Sequence, residues 1–183
     1  MRQYRLDDGD PLIIREAEPA DAERIVSYLR QVAGESDALA LTEEEVTLDV
    51  EQQRDVITDY AEGDNRLFLV AEWEGRIVGV LTFEGGRRKR VAHSGEFGMS
   101  VLKAHWGRSI GSRLMDSLLD WAREGNVIRK INLRVKADNQ RALALYRKYG
   151  FRREGRLIKE FCLDGTYVDL DLMSLWLEPD SPS

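Results

Sequence analysis

The spacing of apolar residues changes partway along the chain, and that change restricts the fold to a sheet with helices packed against it. Ala22, Ile25, Val26, Leu29 and Ala33 follow Pro19 and Asp21 at helical spacing and stop at Gly34, so they predict a first helix. Thr42, with Glu45 three residues on, has the pattern of a capping box opening a second helix. The face of that helix would be Val46, Val50, Ile57 and Tyr60, ending near Gly63. Residues 67–73 and 76–83 are then strand-like runs, and Glu74-Gly75 between them marks a tight hairpin.

Alternation of the two element types continues to the end. Residues 12–17 form a first short strand and residues 97–102 a central one. Ile110, Leu114, Leu118 and Trp121 make a helical stripe broken at Gly125. Residues 130–135 are a strand. Ala142, Tyr146 and Tyr149 mark a short helix that Gly150 ends. Asp164-Gly165 joins two last strands, the second alternating Val168, Leu170 and Leu172 with Asp169, Asp171 and Met173. The expected order is β-α-α-β-β-β-α-β-α-β-β, an α/β (α+β) arrangement with a mixed sheet. Residues 1–183 make one domain, with 178–183 a polar tail.

Composition excludes several function classes. The chain is 43% hydrophobic and 33% charged, a balance suited to a folded globular domain rather than a disordered one. Its net charge of -6 argues against nucleic acid as a partner and suits a cationic one such as an amine. The single cysteine, Cys162, lies in an apolar run and reads as a small core or sheet residue. His93 and His105 lack metal-ligand spacing, so no metal is implied. No apolar run reaches the roughly 20 residues of a membrane span, so no membrane partner is expected, and the default compartment is the cytoplasm.

Trp106, Gly107, Arg108, Ser109, Ile110, Gly111 and Ser112 lie between a strand and an amphipathic helix. Small residues there let backbone N–H groups approach an anion, and the helix N-terminus adds free donors and partial positive charge. The same residues also fit an ordinary capped helix start. Strand, Gly-containing turn, helix, strand, and then Asn139 and Tyr146 on a further helix resemble the GNAT-type N-acetyltransferase superfamily. The resemblance covers nearly the whole chain and is tightest over residues 96–151. The family's turn pattern places Gln or Arg, Gly, and Gly or Ala where this chain has Trp106, Ser109 and Gly111, so the first two positions depart from it. Because Ser109 carries a Cβ, the turn is expected to avoid positive φ at that residue.

The resemblance implies specific roles. Acetyl-CoA would be the cosubstrate. Met99, Ser100 and Val101 match the place where the family's central strand parts from its neighbour and binds the pantetheine arm. The Val101 N–H would polarise the thioester carbonyl. Asn139 would help hold the pantetheine, and the Tyr146 hydroxyl would protonate the departing thiolate. From residue type alone, Asn139 fits a helix cap and Tyr146 a core aromatic. Glu96 is the first candidate for general base, with Glu35 and His93 weaker ones. The run Arg87, Arg88, Lys89 and Arg90 is a solvated loop or a site for an acidic group. The expected reaction is direct acetyl transfer to a small-molecule or peptide amine, with a homodimer possible. A catalytically silent acyl-CoA-binding sensor or partner-binding module is the alternative.

Overall fold

The computed structural model describes residues 2–5, 9, 11–35, 42–47 and 49–177. The expected polar tail, residues 178–183, lies outside the described residues. In chain order the elements are β1 (Arg2–Arg5), β2 (Pro11–Glu16), α1 (Ala22–Glu35), α2 (Val50–Ala61), β3 (Arg66–Trp73), β4 (Arg76–Gly85), β5 (Ser94–Val101), α3 (Ile110–Glu124), β6 (Lys130–Lys136), α4 (Gln140–Lys148), β7 (Arg152–Leu163) and β8 (Thr166–Trp176). The strands form one sheet in the order β1-β2-β3-β4-β5-β6-β8-β7. All neighbours are antiparallel except β5 and β6.

The expected order is recovered, with two differences. β1 was not expected, because Arg2-Gln3-Tyr4-Arg5 has no apolar alternation to mark it as a strand. The second helix starts at Val50, later than the Thr42 signal. Glu45 does accept from the Thr42 N–H and hydroxyl, at 2.9 Å each, but it closes a single 3-10 turn, Glu43–Glu45. The helix itself is opened by a reciprocal box between Asp49 and Gln52.

Each face of the sheet carries its own apolar cluster. On one face, Leu114, Met115 and Leu118 of α3 are fully buried against Leu69, Leu81, Ile131, Leu133 and Met173. Burying each of these α3 side chains contributes about 2 kcal/mol. On the other face, Ile25, Tyr28 and Val32 of α1 and Ile57 of α2 pack on Phe68, Val70 and Val80. Both expected hairpins form, with positive φ at Glu74 and Gly75 and at Asp164 and Gly165. Cys162 lies in the sheet, on β7, but is exposed rather than part of the core, because β7 is the outermost strand. Among the described residues no helix is long and apolar enough to cross a membrane.

Candidate active site

The site begins where β5 and β6 part. Their parallel pairing runs only from Ser94↔Lys130 to Glu96↔Asn132. The β5 pairing to β4 continues to Gly79↔Val101. Residues 97–101 therefore have no partner on the β6 side. At the apex of the split, Asn132 Nδ2 donates to Ser94 Oγ at 2.9 Å and to the Gly95 carbonyl at 3.0 Å, which stitches the two strands together.

Strand alternation decides what faces the gap. The Leu102 N–H donates to the Val78 carbonyl on β4. Successive backbone groups point in opposite directions, so those of Phe97, Met99 and Val101 face the split. The Ser100 backbone faces β4, and its hydroxyl lies 2.9 Å from the Tyr28 hydroxyl of α1. Of the three expected strand residues, Met99 and Val101 thus open their backbones to the gap, and Ser100 joins the strand to α1. The Val101 carbonyl accepts from the Trp106 indole N–H at 2.7 Å. The Arg141 guanidinium of α4 covers that indole at 4.8 Å.

The turn after β5 is built from left-handed residues. Gly107 has φ 84, with open space where a Cβ would lie. Ser109 has φ 62 and ψ 9, contrary to the expectation that its Cβ would keep φ negative. It makes no side-chain cap, but its carbonyl accepts the Arg113 N–H at 3.1 Å, so the left-handed corner sets the angle at which α3 begins. The first-turn N–H groups of α3 are left as donors. A Cβ at Gly111 would make only ordinary contacts, with Leu145 at 3.4 Å and Met99 at 3.6 Å. Ile110 is buried, and the Ser112 carbonyl lies 2.8 Å from the Tyr149 hydroxyl. Arg108 turns back, its guanidinium 5.2 Å from the Trp73 ring centre.

Tyr146 is placed by the end of α4. The Phe151 N–H donates to the Tyr146 carbonyl and the Gly150 N–H to the Arg147 carbonyl, each at 3.0 Å. With Gly150 at φ 88, this is the Schellman closure, and it brings Phe151 against the Tyr146 ring at 5.9 Å. The Tyr146 ring also meets Phe97 of β5 edge-on at 5.7 Å. Burial pushes its phenol up to about 12, so it stays protonated at neutral pH. Asn139 caps α4 by accepting the Ala142 N–H at 3.1 Å.

Glu96 precedes Phe97 and therefore points to the opposite face, toward α1 and α2. There it is half exposed and meets Arg134 of β6, with Nε 2.8 Å from Oε1. Tyr146 and Glu96 thus bracket the split from its two sides. The weaker base candidates are engaged elsewhere. Hydrogen bonds from Gln31 and from the Lys103 N–H hold the Glu35 carboxyl below its ordinary range, where it caps the turn after β5. His93 lies beyond the other end of β5, stacked on Trp176. In the basic loop, Arg87 pairs with Glu84 at 3.2 Å. Two contributors escaped sequence reasoning, Arg134 and the Arg141–Trp106 stack. Both arise from residues far apart in the chain, and no local spacing announces them.

Comparison with known proteins follows this geometry. A family model described as the acetyltransferase (GNAT) family matches residues 36–151. The L-amino acid N-acetyltransferase AaaT of Escherichia coli (strain K12) is 35% identical over 106 residues, which are 58% of this chain and 65% of that protein. The spermidine N(1)-acetyltransferase of Vibrio cholerae is 31% identical over 108 residues, 59% of this chain and 61% of that protein. This chain therefore spans under two-thirds of the length of these curated relatives. A crystal structure of an acetyltransferase of the GNAT family from Streptococcus pneumoniae superposes with a TM-score of 0.88 at 33% identity, covering 90% of this chain and 99% of that one.

Proposed function

The chain belongs to the GNAT family of acetyltransferases, and on that premise we propose that it transfers the acetyl group of acetyl-CoA directly to a primary amine, with Tyr146 as general acid and Glu96 as general base. The observation that carries this reading is the split itself. A strand edge with free backbone groups lies between a buried, protonated phenol on one face and an exposed carboxylate on the other.

Each part has a task. The open backbone groups of Phe97 and Met99, with the Val101 N–H, suit the amides of the pantetheine arm, as in strand addition. With the diphosphate on the turn after β5, the arm would run from Val101 toward Phe97. The thioester carbonyl would then lie near the Phe97 end of the open edge, within reach of Glu96, and the Val101 N–H would serve the arm rather than the carbonyl. The turn at Gly107, Arg108, Ser109, Ile110, Gly111 and Ser112 offers backbone donors for the diphosphate, with Trp106 and Asn139 walling the arm. In the reaction the amine nitrogen forms a bond to the acetyl carbon as the carbon–sulfur bond breaks. Glu96 takes a proton from the nitrogen and passes it to solvent, and the Tyr146 hydroxyl protonates the sulfur. The phenolate then regains a proton from solvent. Cys162, exposed on β7, has no part in such a path. The exposed Ile158 and Tyr167 of β7 and β8 suit a homodimer contact, which sedimentation would detect.

The test is thiol release from acetyl-CoA with a panel of amines. Wild type should turn over, and Tyr146→Phe and Glu96→Gln should each lower kcat by about 100-fold or more while acetyl-CoA still binds. If acetyl-CoA binds by calorimetry but no amine is acetylated, the protein is a silent acyl-CoA sensor. Wild-type rates in Tyr146→Phe would remove the acid role.

A further inference from the structure

We propose that Glu96 and Arg134 together form a receptor for a zwitterionic acceptor, an amine that carries its own carboxylate one carbon away, as a free α-amino acid does. This rests on the transferase reading above and narrows its acceptor.

The pair stands at the closed end of the split, where the β5–β6 pairing stops, on the face opposite Tyr146. Both side chains are about half exposed, 51% for Arg134 and 45% for Glu96, so an incoming molecule can reach them. The contact uses a single edge of each group, Nε to Oε1. Among the described residues the Arg134 guanidinium makes no other hydrogen bond or ion pair, so its terminal N–H donors remain for a carboxylate. The second Glu96 oxygen remains for an ammonium. An α-amino acid laid across the pair would put its nitrogen on Glu96 and its carboxylate on Arg134. Four alternating charges would then replace two, and the nitrogen would sit beside the carbonyl-facing edge of β5.

Room for the rest of such a molecule exists next to the pair. Gly98, two residues along β5 on the same face, has no side chain. A Cβ there would meet only the Thr82 hydroxyl, at 3.8 Å.

The surrounding charges disfavour the rival acceptors. A polyamine needs several carboxylates spaced along one surface. On this face the next carboxylate, Glu84 of β4, is already held by Arg66 at 3.6 Å and Arg87 at 3.2 Å. The Arg134 charge would repel a polycation's second nitrogen. The N-terminus of a peptide would satisfy Glu96 but offers Arg134 no adjacent carboxylate.

The experiment compares kcat/KM for a panel of L-amino acids, their carboxamides and spermidine, in wild type and in Arg134→Ala. Converting the carboxylate to an amide should cost the best acceptor about 10- to 100-fold in wild type, chiefly through KM, the range expected for losing a charged hydrogen bond. In Arg134→Ala the ratio of acid to amide should fall to about one, with the Kd for acetyl-CoA unchanged. Turnover of the amide by the variant doubles as evidence that it has folded. Equal use of acid and amide by wild type, a preference for spermidine, or an equal loss on both substrates in Arg134→Ala would overturn the acceptor proposal and leave the transferase reading standing. Transfer to no amine at all would overturn both.

Discussion

Tyr146 shows how one residue is prepared by its neighbours. Its ring is gripped by Phe97 and Phe151, and such aromatic contacts are worth about 0.5–1.5 kcal/mol each beyond burial. Phenylalanine keeps those contacts and removes only the hydroxyl, so the expected loss of rate in Tyr146→Phe reports chemistry rather than packing. The phenol also predicts a pH effect on stability. It ionises near pH 10 in an unfolded chain and at about 12 in the fold. The folded state therefore holds the proton more tightly. Its contribution is whole below pH 10 and is lost as pH rises to about 12. Urea unfolding at pH 9 and pH 11 should show wild type losing more stability over that interval than Tyr146→Phe. Gly150 guards the same residue from the backbone side. Its φ of 88 is strained for any residue with a Cβ, although the space beyond holds only Leu175 at 3.5 Å. Gly150→Ala should thus cost about 1–2 kcal/mol in chemical unfolding and lower kcat by displacing the Tyr146 ring. Gly150 was legible in the sequence as a helix end, and Tyr146 as an aromatic on that helix; the role proposed for Tyr146 came only from the family resemblance. The backbone of Ser109 was not legible. Serine carries no mark that its backbone must turn left-handed, and only the path from β5 to α3 imposes it.

At the scale of elements, β5 is the strand on which the site depends. Alternation sends Phe97 and Met99 to the α3 and α4 face, and Glu96, Gly98 and Ser100 to the α1 and α2 face. The strand itself was visible in the sequence. That it loses its parallel partner after Glu96 was not derivable from the residues, since pairing is a property of two strands, and it entered only through the family resemblance. The same limit hid Arg134, which gains meaning only when β6 lies beside β5. The start of α2 was misplaced for a different reason. Two capping-box patterns stand in succession in the sequence, but only Asp49 and Gln52 exchange reciprocal bonds; the Thr42 hydroxyl donates to Glu45 instead. Only the second precedes a continuous buried face, through Gln53 and Ile57. Gly98 allows a test of the strand's outer face. Valine suits a strand, and a Cβ there meets only the Thr82 hydroxyl, at 3.8 Å. Gly98→Val should therefore fold normally and bind acetyl-CoA as wild type does, yet lose at least about 10-fold in kcat/KM for the amine because the branched side chain fills the approach. Unchanged amine kinetics would show that the acceptor enters elsewhere.

Across the whole molecule, the split poses a problem of cohesion. On one side stand β1 to β5, on the other β6, β8 and β7, and few backbone pairs join the two. Cohesion comes from the apolar cluster under α3, in which Leu69 and Leu81 of one side share a core with Ile131, Leu133 and Met173 of the other. Tyr149 adds to it by joining α4 to α3, its hydroxyl 2.7 Å from Asp116. A core shared in this way should make the two sides unfold together, so thermal melts followed by near- and far-ultraviolet circular dichroism should give one midpoint. A ligand lying in the split supplies hydrogen bonds that neither strand can make alone, and it binds only the folded state. At 100 times its Kd, acetyl-CoA should add about 2.7 kcal/mol of stability. For a chain of this size that raises the Tm by roughly 5–10 °C. The shift should shrink in Gly107→Ala, where a Cβ strains the turn proposed for the diphosphate, and persist in Arg134→Ala, which lies on the face proposed for the acceptor. Two separate transitions, with acetyl-CoA moving only one of them, would mean that the sides of the split are independent units. The ligand would then bind one wall rather than close a gap between two.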